Sequence, residues 1–338
     1  MRSIVVSMID EHWHHTDVPR KLTNCTEGWA YALKGEFRGL TPPPVEELGN
    51  YDLIVANLDR RMISLYAEVI HKRPKHVKWV SLIEGCGTDY LEPSASLIHV
   101  LNESDFVANI NRSTTGYLQS LTTTPVAWVG VPLPYHEMEM YATPEDARRE
   151  EILICPRGTK HPSILVANAL GLPVTAYFPP VSRKPRNLTT FYKNRYYGKD
   201  LWLRKWERET SPVPRIPRPE RNLIDTWKEA GSCRMWVNLD PRYTWARWVL
   251  DAAVFRVPII STLSTCHAQY LFPETTVRDI FAIEEAIEIG KRILNEPEWA
   301  KQTCDRAYSM LDEFLPEACV RRMGEGLGID LASILAAE

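Results

Sequence analysis

Residues 240–261 read DPRYTWARWVLDAAVFRVPIIS. A strand runs into Asp240, a helix starts near Tyr243 and covers Thr244–Phe255, and a Val257-Pro258 turn leads into the apolar strand Val257–Ser261. Strand, helix and apolar strand in this order make a βαβ unit, which belongs to a parallel sheet. The same rhythm extends in both directions. Upstream of this unit, Ile152–Cys155 reads as a strand, Pro162–Leu170 as a helix, Val174–Phe178 and Arg234–Asn238 as strands. Downstream, Ile283–Leu294 carries apolar residues at helical spacing, with Lys291 and Arg292 in its last turn. Helices close the chain over 299–314 and 317–337.

The first part of the chain repeats the pattern with strands at Ser3–Ile9, Tyr51–Asn57, His76–Leu82, Phe106–Ile110 and Val126–Val131. Helices fall at Arg60–Lys72 and Ser113–Leu121, the latter capped by the Arg112-Ser113-Thr114-Thr115 run. The Pro-containing stretch Val131–Pro144 interrupts the alternation and reads as a linker. The 338 residues suit two α/β domains, each of about 150 residues. The expected division is 1–144, then 145–315, then C-terminal helices over 316–338 that pack back on the first domain.

Composition narrows the class. Apolar residues make up 44% and charged residues 25%, which excludes a disordered, collagen-like or disulfide-scaffold chain. No apolar run approaches membrane-spanning length. The start, MRSIVVSMIDEHWHH, turns acidic and His-rich too early for a signal peptide. Seven scattered cysteines without a CxxC pair read as reduced thiols, so a cytoplasmic location is expected. The net charge of −3 conceals a split. Residues 181–222 hold twelve Lys/Arg against four acids, a charge of +8 that leaves −11 for the remainder. Aromatic residues Phe191, Tyr192, Tyr196, Tyr197, Trp202 and Trp206 alternate with the cations. Prolines 212, 214, 217 and 219 forbid regular structure at its end, since proline fixes φ and lacks an N–H.

Missing motifs exclude several chemistries. Neither G-x-G-x-x-G nor a P-loop occurs, which disfavours a nicotinamide dehydrogenase and a P-loop NTPase. No G-x-S-x-G elbow marks an α/β-hydrolase. His12, His14 and His15 lack a spaced fourth ligand, so no metal site is expected. No D-x-D triplet is present to hold a divalent ion on a diphosphate. What remains is cationic. Ile152–Lys160 is a strand entering a loop with Arg157 and Lys160, a fork and a point charge suited to phosphates.

The Arg157/Lys160 loop and the 240–261 stretch together resemble the donor-binding half of GT-B glycosyltransferases over about 145–315. In that family a G-R-x-x-x-x-K-like loop is followed by an E-x7-E motif that runs into an L-E-A…G-x-P-V-I phrase. Leu250-Asp251-Ala252 and Arg256-Val257-Pro258-Ile259-Ile260 take the two halves of that phrase. The first Glu of the motif falls on Tyr243, with Asp240 nearby, and the second is the shorter Asp251. The resemblance implies two Rossmann-like domains facing each other across a cleft. It implies metal-independent sugar transfer from a nucleotide-sugar co-substrate, a UDP-sugar being favoured, with no other cofactor. Donor-binding candidates are then Arg157, Lys160, Tyr243, Asp251 and Asp240.

The first domain would supply the acceptor site and, for an inverting transfer, a base. Strand-end candidates are Asp10, Glu11 and His12 after the first strand, and Glu84 and Asp89 after the third, with Asp10 and Glu84 preferred. A basic stretch interleaved with aromatics suits a phosphate backbone and stacked bases. Lys193, Arg195, Lys199, Arg204, Lys205, Tyr196 and Trp202 are its nucleic-acid candidates, and a hydroxymethylated DNA base is the favoured acceptor, as in phage DNA hydroxymethylpyrimidine glucosyltransferases. A glycan, lipid or small-molecule acceptor stays open, as does a non-catalytic nucleic-acid-binding protein on a transferase scaffold.

Overall fold

The structure is a computed structural model that describes residues 1–7, 25–85, 90–155, 160–176 and 223–336. The first half is a six-stranded sheet of β1 (Ser3–Ser7), β2 (Glu36–Gly39), β3 (Leu53–Asn57), β4 (Lys78–Ile83), β5 (Phe106–Asn109) and β6 (Val126–Trp128), in the order β2-β1-β3-β4-β5-β6. Every pairing in it is parallel. Helices α1 (Cys25–Ala32), α2 (Ile63–Val69), α3 (Ala95–Glu103) and α4 (Thr115–Ser120) connect the strands, and the short α5 (Tyr135–Met138) follows β6.

The second sheet comprises β7 (Arg149–Ile154), β8 (Val174–Ala176), β9 (Cys233–Asn238), β10 (Ile259–Thr262) and β11 (Thr276–Val277), in the order β11-β10-β9-β7-β8. It too is wholly parallel. Its helices are α6 (Lys160–Leu170), α7 (Leu223–Gly231), α8 (Arg247–Val254), α9 (Cys266–Leu271), α10 (Ile283–Asn295) and α11 (Pro297–Ser309); α12 (Pro316–Leu327) and α13 (Leu331–Ala336) end the described chain. In both sheets the order of winding reverses after the second strand, which leaves the first strand beside the third. The crevices this opens lie at the C-terminal strand ends, between β1 and β3 and between β7 and β9, where open α/β sheets bind ligands.

Alternation along each strand builds three cores. Ile4 and Val6 join a cluster with Trp79 and Leu97 on one face of the first sheet, while Val5 points to the other. Ile152 and Ile154 pack under α6 and α10, whereas Leu153 and Cys155 join the cluster of Val5. That cluster is continuous across the halves, from Val5 and Trp29 through Phe314 and Cys319 to Trp236 and Phe255. Helix α12 contributes to it by lying on α1, β5 and β6. Arg322 clamps it there: its guanidinium donates to the Val129 carbonyl at 2.9 and 3.0 Å and sits 4.5 Å above the Trp128 ring.

The structure departs from the sequence reading at several places. β2 pairs with β1 although Glu36 and Arg38 break any apolar run. The helix expected over Thr244–Phe255 starts only at Arg247, because Ala246 sits at φ 56° and cannot belong to a right-handed turn. Val131–Pro144 is not a plain linker, since it folds into α5 and buries Tyr135 and Met138. The helix expected to run over 299–314 stops at Ser309 and continues as a 3-10 turn, Leu311–Phe314.

Gly326 is a tight point of the α12 contact, as a Cβ there would lie 2.3 Å from the Phe106 ring. Gly326→Ala is expected to destabilise the fold by about 1–3 kcal/mol through overpacking, measured by chemical denaturation.

Candidate active site

The C-terminal ends of the first sheet carry polar side chains on buried backbone. Asn57 closes β3, Asn109 closes β5 and Glu84 follows β4. Glu84 Oε2 accepts hydrogen bonds from the Thr26 hydroxyl at 2.6 Å and from Asn57 Nδ2 at 2.7 Å, and Asn57 Nδ2 also reaches Thr26 Oγ1 at 3.0 Å. The first turn of α1 and the ends of β3 and β4 therefore hold the carboxylate beside the β1/β3 crevice. Gly85 is required behind it, since a Cβ there would meet the Tyr90 hydroxyl at 2.6 Å. Asn109 is used differently. It braces the turn before α4 through the Asn111 carbonyl and the hydroxyls of Thr114 and Thr115.

The second sheet ends in a hydroxyl-rich loop. The Asp240 carboxylate is buried and grips Arg242 with two bonds, at 2.8 and 2.5 Å. Its carbonyl accepts the Thr262 hydroxyl at 2.6 Å and also the Ser264 hydroxyl. The loops after β9 and β10 are joined further, Thr244 N–H donating to the Ser264 carbonyl at 3.1 Å and Cys266 N–H to the Thr244 carbonyl at 2.9 Å. Tyr243 stands at the apex of this pair, 52% exposed.

The two strand-end regions meet. Arg112, two residues beyond Ile110, lays its guanidinium 4.9 Å from the Trp128 ring and 4.8 Å from the Tyr270 ring on α9. The Cys266 thiol faces Ser113 and the Arg112 backbone, and burial raises its pKa despite those donors. Next to it His267 is fully buried between Trp245, at 6.0 Å, and Phe314, at 5.0 Å. Neither of its ring nitrogens makes a hydrogen bond of good geometry. Burial pushes the ring down to about 3, opposed only by the Trp245 backbone.

Of the residues singled out from sequence, Glu84, Asp240 and Tyr243 stand at strand ends. Lys160 opens α6, directly beyond the loop after β7. Asp251 is committed elsewhere. It lies buried in α8, with Oδ1 accepting Arg247 Nε at 2.6 Å and Oδ2 accepting Trp227 Nε1 at 3.3 Å. Burial raises its pKa, against the pull of Arg247 and Trp227. Each of its oxygens is thus engaged by a side chain of this half, in a buried position. Asp10, Glu11, His12, Asp89, Arg157, Lys193, Arg195, Tyr196, Lys199, Trp202, Arg204 and Lys205 lie outside the described residues.

Sequence reasoning missed Thr26, Asn57, Arg112, the Thr262/Ser264 pair and His267. A usable signal existed for two of them. Asn57 ends an apolar run at the place where Asn109 and Asn238 end theirs, and 261–265 is a run of Ser, Thr and Leu that ends β10 and enters the loop after it. Among the described residues no group of His, Cys, Asp and Glu could hold a metal ion, and no helix is long and apolar enough to cross a membrane.

No protein-family model matches the chain, and no curated protein sequence matches it. Solved structures do. An alpha-glucosyltransferase in complex with UDP and a 13-mer DNA containing a HMU base superposes with TM-score 0.59 at 9% identity, covering 97% of this chain and 99% of that one. An alpha,alpha-trehalose 6-phosphate synthase from Burkholderia multivorans gives 0.62 at 11% identity, covering 85% and 72%. A UDP-forming alpha,alpha-trehalose-phosphate synthase from Burkholderia xenovorans gives 0.62 at 12%, covering 90% and 80%. The protein has the GT-B fold, two parallel-sheet α/β halves joined across a cleft.

Two outcomes follow for the buried groups. Asp251→Ala strands the Arg247 guanidinium and is expected to cost about 2–3 kcal/mol of stability, read from denaturant midpoints. His267 stays neutral when folded, whereas in the unfolded chain it takes a proton below about pH 6.5. Its share of stability is therefore complete above that pH and lost as pH falls towards 3. His267→Phe should flatten the acid side of the stability–pH curve by up to about 1.4 kcal/mol per pH unit.

Proposed function

We propose that the chain is a glycosyltransferase that moves a sugar from a UDP-sugar to a hydroxyl, with a hydroxymethylated base in DNA as acceptor. The observation that carries the acceptor is coverage. The alpha-glucosyltransferase solved with UDP and DNA is matched essentially end to end, while the trehalose-phosphate synthases leave a fifth or more of their length unmatched. The +8, aromatic-rich stretch at 181–222 supports the same reading, since neutralising a phosphate backbone needs a dense run of Lys and Arg.

In this reading the second half holds the donor. The α6 N-terminus with Lys160, and Arg157 before it, take the diphosphate, because free helix N–H groups and cations both favour anions there. The Asp240–Arg242 pair and Tyr243 shape the adjoining loop. The first half holds the acceptor, with Glu84, steadied by Thr26 and Asn57, nearest the reacting hydroxyl and Asp10, His12 and Asp89 as further candidates. The duplex must yield its base to reach that point, so extrusion of the target nucleotide accompanies binding. A sugar-phosphate acceptor is the second reading, favoured by the trehalose-phosphate synthase matches.

Two measurements test it. UDP should raise the melting temperature, and Glu84→Gln should leave that shift intact while lowering turnover by about a hundredfold. Binding to a hydroxymethyluracil duplex should weaken steeply with salt, and neutralising Arg195, Lys199, Arg204 and Lys205 together should flatten that slope by about three to four. Salt-insensitive binding would remove DNA as the acceptor.

A further inference from the structure

A cavity of about 400 Å³ lies at the opposite end of the second sheet from the cleft. Its walls come from the starts of three strands: Arg148 precedes β7, Arg234 is the second residue of β9, and Arg256 and Pro258 precede β10. Glu139 and Thr143 of the connection between the halves close one side, and Lys301, Cys304 and Asp305 of α11 close the other. Strands of six residues separate it from the cleft by about 20 Å. The volume falls in the range of small-molecule sites, about 300–1,000 Å³.

Four cations, Arg148, Arg234, Arg256 and Lys301, face three carboxylates, Glu139, Glu145 and Asp305, so the lining keeps one net positive charge. Asp305 is shared, pairing with Lys301 Nζ at 2.7 Å and standing 3.8 Å from Arg256 Nε. Among the described residues Arg234 pairs only with the exposed Glu150, at 3.9 Å. Arg148 feels Glu145 of the same wall only at longer range and has no carboxylate within ion-pairing distance among the described residues; one of its terminal nitrogens donates to the Phe255 carbonyl at 3.0 Å and its Nε is buried without a partner. A guanidinium stays charged at any physiological pH, so burying it unpaired is costly unless an anion completes it. On the same wall Glu139 Oε1 is a buried acceptor with no donor.

Arg256 adds an independent sign. It sits at φ 51°, in the left-handed region. The G-x-P-V-I phrase of the resembled family has glycine there, which would hold that backbone without strain. Arginine holds it at some cost, stacked 3.9 Å from the Tyr308 ring and lining the cavity. Strain of this kind persists where the surroundings use the side chain.

We infer that this cavity is a binding site for a small phosphorylated compound that also bears a hydroxyl group, its phosphate held by Arg148, Arg234 and Arg256 and its hydroxyl donating to Glu139. An occupant touches both α11 and the segment joining the two halves. The site is separate from the donor crevice, so its test does not depend on the glycosyltransferase reading.

Calorimetric titration of the full chain with glycerol 3-phosphate, inorganic phosphate and glycerol tests it, with and without saturating UDP. Glycerol 3-phosphate should bind more tightly than phosphate, glycerol should not bind, and UDP should leave the titration unchanged. Arg148→Gln and Arg256→Gly should each weaken binding at least tenfold, and Arg256→Gly should keep a native circular dichroism spectrum because it relieves the backbone. Glu139→Gln should narrow the gap between glycerol 3-phosphate and phosphate. No heat from either anion, equal affinity in the folded Arg256→Gly variant, or full competition by UDP would each overturn the assignment.

Discussion

The organisation of this molecule rests on parallel strand pairing with a reversal of the winding order after the second strand of each sheet. Parallel neighbours bring all C-terminal strand ends to one edge, and the reversal parts the loops there. β1 and β3 open one crevice and β7 and β9 the other. The continuous core running from Val5 and Trp29 to Trp236 and Phe255, with α12 clamped by Arg322, makes the halves one packed body in which Arg112 reaches Tyr270. Ligand-binding side chains can then sit on short loops and still be held by strands and helices.

Much of this architecture was legible in the chain, because buried parallel strands leave unbroken apolar runs. Strands at 53–57 and 106–109 announce themselves that way. The elements that escaped are those decided by neighbours. β2 carries alternate charges and is a strand because the β1 backbone is there to pair with. The late start of α8 depends on Ala246 at a positive φ, which no local preference of alanine foretells. α9 is a short helix fixed by the loop pairing of Thr244 with Cys266.

The candidate site was readable only in part, and for a related reason. A carboxylate at a strand end, such as Glu84, can be located from spacing, but what it bonds to comes from α1, distant in sequence. Asp251 shows the opposite case. Its place in the L-D-A phrase points to a ligand contact, yet α7 delivers Trp227 to it and Arg247 lies one turn away, so burial and pairing claim it. Arg256 occupies a glycine position of the same phrase and keeps the glycine backbone. Asp251 is thus engaged within α8 and by α7, and Arg256 lines a charged cavity.

The central claim, that the two crevices hold a UDP-sugar and a hydroxymethylated base, is tested most directly by mass spectrometry of the acceptor. Duplexes containing hydroxymethyluracil or hydroxymethylcytosine are incubated with the protein and a panel of nucleotide-sugars, then digested to nucleosides. The account predicts one added sugar on the hydroxymethylated nucleoside, dependent on a UDP-sugar, and none on thymidine or deoxycytidine. Transfer to a sugar phosphate with the DNA unmodified, or no transfer from any donor, would contradict it.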